Sequence, residues 1–231
     1  MSFDWAQIGF AASVWVMPVV IAITFHEAAH GWVAWRLGDP TAKILGRVTF
    51  NPLKHIDPFG TVILPALLLF GSGGRMMFGF AKPVPVDYGR LRQPRSGMVL
   101  VAVAGPASNL LLAVVAALAM HGLVAFDGDF REWVARNLVN AVYINCLLCV
   151  FNMIPLPPLD GGRVAVGLLP PVLGMRLARL ERAGFVILIA ALFLLPLLGD
   201  SFGMNLNIFW WLVGGPAEYL MKLIFSALGI W

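Results

Sequence analysis

The sequence predicts an all-α polytopic membrane protein with about five full transmembrane helices, one short re-entrant or half-spanning helix and a small extended segment at the membrane. Of its 231 residues, 60% are hydrophobic and only 12% are charged. Its apolar runs are too many and too long for the core of a soluble protein of this size. The net charge of +4 comes from Lys and Arg dispersed among short connections, without the clustered basic face that binds nucleic acid. We therefore expect the lipid bilayer, and no nucleic acid, as a partner.

Five apolar stretches are predicted to be transmembrane helices. The first, at about 6–37, ends at Gly38-Asp39-Pro40, where a glycine follows the last turn and a proline prevents continuation. The other four are expected at about 96–123, 131–154, 183–198 and 208–228. Together they predict a single membrane domain over 1–231, with a core at about 6–165 and additional helices at 183–229.

Two further segments are predicted to associate with the membrane without crossing it. The apolar piece 59–70 would be roughly 18 Å long as a helix, whereas the hydrocarbon core is about 30 Å thick. Met76 to Val86 can be extended, and its prolines Pro83 and Pro85 exclude a central strand but permit an edge strand. An edge strand can bind another extended chain through its backbone. The alternative, a membrane-surface hairpin without a partner, stays open at this point.

The distribution of basic residues predicts the topology. Four Lys or Arg lie at 36–54, five at 75–95 and four at 163–182. The positive-inside rule places all three connections in the cytoplasm. If 59–70 crossed the membrane, the first two connections would lie on opposite sides, so charge and length both favour a re-entrant segment. The N-terminus is then expected outside.

The first predicted helix contains His26-Glu27-Ala28-Ala29-His30, three ionisable side chains at a depth where lipid surrounds the protein. One such group costs about 2.5 to 3.5 kcal/mol to insert, so three within five residues need compensation. Residues four apart project from one face of a helix, which suits two imidazoles that bind one metal ion. Glu27 lies beside them. The pattern therefore predicts a metal site within the membrane, in the cytoplasmic half of the helix.

A third ligand is predicted from the other end of the chain. Catalytic zinc usually takes three protein ligands and leaves a fourth position for water. The helix at 131–154 runs inward and delivers Asp160, in the turn Pro157-Pro158-Leu159-Asp160-Gly161-Gly162, to the side where His26 and His30 lie. We expect these three residues to hold one Zn²⁺ with a catalytic water. Glu27 would be the general base of a metal-assisted peptide hydrolysis.

Other candidate ligands are less suitable. His55 could compete as the third ligand, but it lies in a loop with Asp57 available as a partner, so a structural or interfacial role is favoured. His121 is expected at the outer end of its helix, away from the metal. Cys146 and Cys149 have C-x-x-C spacing, but without a second cysteine pair they are expected to be packing thiols.

At these motifs the chain resembles the site-2 proteases, a family of intramembrane zinc metalloproteases. The matching segments are His26-Glu27-Ala28-Ala29-His30-Gly31, Asn51-Pro52 to His55-Ile56-Asp57-Pro58, Ala81-Lys82-Pro83-Val84-Pro85-Val86, Gly105-Pro106-Ala107-Ser108-Asn109, and Asn152 through Pro155 and Pro158 to Asp160-Gly161-Gly162. The resemblance is to the short branch of the family without a PDZ or CBS domain.

The resemblance implies zinc held by His26, His30 and Asp160, with Glu27 as base and Asn152 as a helper near the reacting carbonyl. It also implies that the substrates are transmembrane segments of other membrane proteins, expected to be single-pass, in regulated intramembrane proteolysis at the plasma membrane of a prokaryote. The segment from Met76 to Val86 would then receive an unwound piece of substrate.

The sequence leaves some alternatives open. Asn152 either assists catalysis through its amide or links helices, and Asn109 is expected to make an interhelical hydrogen bond. A rival function is a non-catalytic membrane protein with structural zinc, or a zinc carrier. Structural zinc normally has four protein ligands, and only three are evident in the sequence. A carrier would need more polar groups along a path than these helices offer.

Overall fold

The computed structural model describes residues 5–71, 79–203 and 206–230, and within these ranges the chain forms helices and irregular connections without a β-strand. The helices are α1 (Trp5–Arg36), α2 (Thr41–Ile44), α3 (Leu64–Gly71), α4 (Pro94–Ala119), α5 (Gly128–Asn152), α6 (Asp160–Leu168), α7 (Pro171–Ala178), α8 (Glu181–Ile189), α9 (Leu195–Ser201) and α10 (Gly215–Ala227). The predicted all-helical class is confirmed for this part of the chain.

Three of the helices are long and apolar enough to cross a membrane. The candidate spans are Ala6–Arg36 on α1, Pro94–Ala125 on α4 and its 3₁₀ extension, and Gly128–Asn152 on α5. These three helices pack against one another and form the centre of the molecule. Gly38 has φ of +117°, a conformation that favours glycine, and it ends α1 where the sequence predicts.

The interior of the bundle is built mainly from small side chains. Ala113 and Ala117 of α4 are fully buried with Val142 of α5, and Ala217 and Phe225 bring α10 onto the same cluster. Small residues let helix backbones approach closely, which is how helices associate when lipid removes the hydrophobic driving force. Cys146 belongs to this cluster, and both cysteines are free thiols on α5, as expected for packing residues.

The C-terminal helices are interrupted where the sequence predicts two regular spans. α8 continues directly into a π-helical stretch, Ala190–Leu194, and then into α9. A second π-helical stretch, Trp210–Gly214, precedes α10. Neither is among the three candidate spans of the described chain, so the predicted number of five transmembrane helices stays a prediction.

The short apolar piece at 59–70 forms a helix that is too short to cross a bilayer. A π-helical stretch of six residues, Pro58–Ile63, leads into the eight residues of α3, whereas a span needs about 20. Beyond the undescribed residues 72–78, the chain lies beside the start of this helix, because the Phe80 N–H donates to the Gly60 carbonyl oxygen at 3.0 Å. The described residues before and after this helix therefore lie next to each other.

The predicted edge strand differs from what the structure shows. Positions 76–78 lie outside the described residues, and 79–87 form no regular secondary structure. Alternate N–H groups of this segment bond to carbonyl oxygens of the preceding segment instead, since Phe80 donates to Gly60 in the π-helical stretch and Lys82 donates to His55, each at 3.0 Å. Because Pro83 and Pro85 have no N–H, the segment cannot form a continuous ladder on its other side.

The three basic connections meet at one end of the bundle. The Arg92 N–H donates to the Leu37 carbonyl oxygen at 3.0 Å. Arg47 donates from Nη2 to the Lys82 carbonyl oxygen at 2.6 Å. The guanidinium of Arg95 binds the last carbonyls of α6 and its connection. The C-terminal end of α1 and the N-terminal end of α4 are therefore tied to the connection that follows Asp160.

Asp39 fastens the end of α1 to the segment before α4. Its fully buried carboxylate accepts the Thr41 N–H at 3.0 Å and the Asp87 N–H at 2.7 Å. Burial acts to raise the pKa of Asp39, but hydrogen bonds from Thr41 and Asp87 outweigh it and hold the pKa below its ordinary 3.8. The charged form is thus favoured, and the loop that borders the site is held in place.

Candidate zinc centre

The structure brings the three predicted ligands together. His26 and His30 lie one turn apart on the same face of α1, and their Nε2 atoms are 3.0 Å apart. Asp160 Oδ2 lies 3.2 Å from each of these nitrogens. All three residues are buried, with between 6% and 9% of their surface exposed. Among the described residues, these three side chains lie close enough together to hold one metal ion.

Asp160 reaches this position because α6 begins tightly against the end of α5. It is the first residue of α6, directly after the Pro157-Pro158-Leu159 turn. Gly161 packs on the Met153 carbonyl and Gly162 on the backbone of Leu156 and Pro157, so closely that a Cβ at either position would collide with main chain. Gly161 and Gly162 therefore allow a close contact between α6 and the end of α5, which sets the depth of the Asp160 carboxylate.

Hydrogen bonds at Nδ1 orient both imidazoles. His30 Nδ1 lies 2.7 Å from the Val101 carbonyl oxygen, which can only accept, so this nitrogen carries the proton. His26 Nδ1 lies 2.6 Å from Asn109 Oδ1. In neutral rings with Nδ1 protonated, each Nε2 presents a lone pair toward Asp160. Such a second hydrogen bond is typical of histidines that bind metals.

The arrangement fits a zinc ion. Asp160 Oδ2 is a buried atom without a hydrogen-bond partner. It faces two nitrogen lone pairs, and three electron-rich atoms at such distances repel one another unless a cation lies among them. Their separations of 3.0 and 3.2 Å are close to the edge of about 3.3 Å expected for a tetrahedron with Zn–N bonds of about 2.05 Å.

Gly105 of α4 lies against the metal-binding edge of both imidazoles. A Cβ at this position would meet His30 Nε2 and the Cε1 and Nε2 atoms of His26. α4 can approach α1 here only because residue 105 has no side chain. The same helix supplies Val101 and Asn109, so α4 both orients the two rings and leaves room in front of them.

Glu27 borders a cleft beside the three ligands. The cleft has a volume of about 500 Å³ and is also lined by Asn152, Tyr88 and Arg163. Glu27 Oε2 accepts the Val84 N–H at 2.7 Å, so the segment 79–87 lies directly against the predicted base. Burial raises the pKa of Tyr88 above its ordinary 10.0, so its hydroxyl is a neutral group at the wall of the cleft.

Comparison with known proteins agrees with this site. Peptidase family M50 matches the chain over residues 14–127 and 122–197. The chain belongs to peptidase family M50. YwhC of Bacillus subtilis, named as a candidate zinc metalloprotease, is 37% identical over 225 residues, which cover 92% of this chain and 91% of the relative. The predicted site-2 protease family is thereby confirmed, and the chain is a zinc metallopeptidase with membrane helices.

Two further relatives of this M50 peptidase are also named as candidate zinc metalloproteases. Rip2 of Mycolicibacterium smegmatis is 30% identical over 204 residues, covering 88% of this chain and 74% of the relative. MJ0611 of Methanocaldococcus jannaschii is 38% identical over 167 residues, covering 71% of this chain and 76% of the relative. Among solved structures, none matches the chain significantly.

The remaining histidines of this M50 peptidase lie outside the group. His55 Nε2 bonds to the Thr49 carbonyl oxygen at 3.0 Å. Asp57, its expected partner, instead accepts the Gly60 N–H at 2.6 Å at the start of the short helix. His121 Nε2 lies 3.1 Å from the Leu228 carbonyl oxygen, at the other end of α4. The structural role predicted for His55 is supported, although through a different partner.

Asn152 lines the cleft, and its amide Nδ2 donates to the Leu148 carbonyl oxygen at 3.0 Å. Sequence reasoning missed the close approach of Gly105 to the two histidines and the contact from Val84 to Glu27. It also missed the bond from Asn109 of α4 to Asn145 of α5, at 2.8 Å. In the sequence Gly105 stands out only as part of a family motif, and Asn145 is only one of four asparagines in its helix.

Proposed function

We propose that this zinc metallopeptidase hydrolyses peptide bonds in or near the transmembrane segments of single-pass membrane proteins. The observation that carries the proposal is the position of the site: His26, His30, Asp160 and Glu27 meet in a cleft between apolar helices that are long enough to cross a bilayer. A substrate bond must therefore come to this depth. Regulated cleavage of a membrane-tethered protein would use such a site.

The three metal ligands, Glu27 and Val84 have distinct parts in the proposed reaction. His26, His30 and Asp160 would hold the metal through two nitrogens and one carboxylate oxygen. Zinc, when bound, polarises the peptide carbonyl and lowers the pKa of a water to about 7. Glu27 takes the proton of the attacking water and returns it to the leaving amine nitrogen. The Val84 N–H orients this carboxylate at Oε2, which leaves Oε1 to accept the proton.

Asn152 is proposed to assist near the reacting carbonyl. Its Nδ2 already donates to Leu148, and the side chain faces the cleft from the last residue of α5. A side-chain amide in this position can stabilise the negative charge that develops on the carbonyl oxygen. Asn152 ends α5, and the turn that carries Asp160 follows it in the chain. The amide therefore lies next to the segment that delivers the third ligand.

The segment 79–87 is proposed to bind an unwound stretch of substrate. Phe80, Lys82 and Val84 direct their N–H groups into the protein. In an extended chain the alternate residues face the other way, so the carbonyls of Ala81, Pro83 and Pro85 are left for a partner while the two prolines offer no donor. The Val84 side chain is not suited to testing this proposal, because it is 8% exposed and packs near Gly31.

Disulfide cross-linking tests the substrate segment. With the wild-type cysteines replaced, Ala81→Cys should cross-link to a cysteine placed beside the scissile bond of a substrate, in an enzyme that carries Glu27→Gln. Lys43→Cys, on α2 and not among the residues that line the cleft, is the control and should not. Equal cross-linking at both positions would contradict the proposal.

The proposed topology places the N-terminus outside and the site toward the cytoplasm, in the plasma membrane of a prokaryote. The meeting of the three basic connections at one end of the bundle supports it, since the positive-inside rule assigns that end to the cytoplasm. Reporters fused near Lys43 and near Arg92 should both read out in the cytoplasm. Readout on opposite faces would contradict both the topology and the re-entrant helix.

Removal of the metal tests the proposed reaction and separates it from zinc transport. In reconstituted vesicles, a chelator should abolish cleavage of a single-pass membrane substrate, and added Zn²⁺ should restore it, because the attacking water needs the metal. His26→Ala should lose both zinc and cleavage. If the zinc-loaded wild-type enzyme cleaves no membrane substrate but moves zinc across the vesicle membrane, the carrier function replaces the proposed one.

A further inference from the structure

A chain of buried side-chain amides connects α5 to His26. Asn145 of α5 donates from Nδ2 to the Ala141 carbonyl oxygen at 2.8 Å. Asn109 of α4 donates from Nδ2 to Asn145 Oδ1 at 2.8 Å and to the Ala22 carbonyl oxygen of α1 at 3.2 Å. Its Oδ1 lies 2.6 Å from His26 Nδ1. Asn109 and Asn145 are 0% and 2% exposed, so water does not compete for these bonds.

The partners of the two amides fix the direction of every bond. A backbone carbonyl only accepts, so the NH₂ group of Asn145 must face Ala141 and its oxygen must face Asn109. Asn109 then lies between two acceptors, Asn145 Oδ1 and the Ala22 carbonyl oxygen, and its own NH₂ group must face both. Only Asn109 Oδ1 is left for His26, which therefore donates from Nδ1.

This direction matters because a neutral imidazole carries one proton and a metal needs a lone pair. If the Asn109 amide were turned over, its NH₂ group would face Nδ1, and the proton would move to Nε2, the atom that faces His30 and Asp160. We propose that Asn109, oriented by Asn145, is a positioning residue that keeps the proton of His26 on Nδ1 and its Nε2 lone pair available to zinc. The inference rests on the ligand set given under Proposed function.

The two histidines differ in how they depend on their neighbours. His30 donates to the Val101 carbonyl oxygen, a backbone group that cannot turn over. His26 relies on a side-chain amide, which can turn over unless other bonds hold it. The link from α5 through Asn145 supplies that restraint. Zinc binding is thus coupled to the packing of α5 against α4 and α1.

A purely structural role for the amides makes a different prediction. If Asn109 only links helices, its important groups are the two donors on Nδ2. If it positions His26, its important group is the acceptor Oδ1. Asn109→Asp keeps an acceptor and removes the donors, whereas Asn109→Leu removes both. The two substitutions therefore separate the roles, because the structural role predicts equal effects on zinc binding and the positioning role does not.

The experiment measures zinc affinity of the full chain in detergent, by competition with a chelating dye, together with thermal unfolding. Asn109→Leu should weaken zinc binding by about 10- to 100-fold, the usual effect of losing a partner that orients a ligand. Asn109→Asp should retain most of the affinity even where it lowers the unfolding temperature. Asn145→Ala should weaken zinc binding, and combined with Asn109→Leu it should add little, since both act through one bond to His26.

Asn137→Ala is the matched control. Asn137 is also buried on α5 and bonds the carbonyl four residues back, Trp133, at 2.9 Å, but its Oδ1 has no partner. Its zinc affinity should equal that of the wild type. Equal losses in Asn109→Asp and Asn109→Leu, or wild-type affinity in Asn109→Leu, would overturn the inference. If His26→Ala keeps wild-type affinity, the ligand set itself fails instead. Should Asn109→Leu not fold, the other two variants still test the inference. Lost affinity in Asn109→Asp, or wild-type affinity in Asn145→Ala, would then overturn it.

Discussion

Glu27→Gln should keep one zinc per chain and lose cleavage. Gln has the shape of Glu, and its amide oxygen can still accept the Val84 N–H that now binds Oε2 at 2.7 Å. It cannot take a proton from water, and removal of a general base usually costs about 10²- to 10⁴-fold in rate. Zinc content is measured on the purified chain, and cleavage of a single-pass membrane substrate is measured in reconstituted vesicles.

Glu132→Gln is the control for this substitution. Glu132 lies on α5, is exposed, and pairs with Arg136 at 2.6 Å far from the cleft. An exposed pair of this kind contributes little to stability, so its loss should leave both zinc content and cleavage unchanged. Loss of zinc in Glu27→Gln would identify Glu27 as a ligand instead of a base. Full cleavage with full zinc would remove it from the mechanism.

The part of the site that lies on one helix could be predicted from the sequence. His26 and His30 share a face of α1 because positions four apart always do so in a helix. Asp160 required a further step, in which loop charges and helix direction placed it at the same depth. The structure brings these residues together within 3.2 Å. Periodicity and charge are properties of the sequence, so they needed no knowledge of how the helices cross.

The remainder depends on contacts between helices, which periodicity does not determine. The interhelical bond expected for Asn109 is present, but that its oxygen faces His26 follows only from the way α4 crosses α1. The same holds for Asn145, whose sequence context gives no partner. The predicted edge strand at 76–86 is not present in its described part, 79–86, because the N–H groups there bond to the carbonyls of His55 and Gly60 and to the Glu27 side chain instead of a strand.

Gly105→Ala should weaken zinc binding strongly although it adds a single methyl group. The new Cβ would collide with His30 Nε2 and with Cε1 and Nε2 of His26, the atoms at the metal-binding edge. A flexible side chain could move away at little cost, but these rings are held at Nδ1 by Val101 and Asn109. Both restraints belong to α4 itself, so a shift of α4 away from α1 would break them. Loss of a group that orients a metal ligand costs up to about 100-fold in affinity, and we expect this collision to cost at least as much. Cleavage should be lost in parallel.

Gly9→Ala distinguishes this collision from a general effect of glycine replacement in a membrane helix. Gly9 is on α1, and a Cβ there would meet no atom within 4 Å. Alanine forms helices better than glycine, so this variant should fold, bind zinc and cleave as the wild type does. If Gly105→Ala binds zinc as Gly9→Ala does, the two imidazoles can move away from the new methyl group. The prediction that α4 packs too closely on them for any side chain at position 105 would then be wrong. If it folds without zinc, the backbone of α4 sets the space in which the metal binds, and residue 105 belongs to the site although it offers no ligand atom.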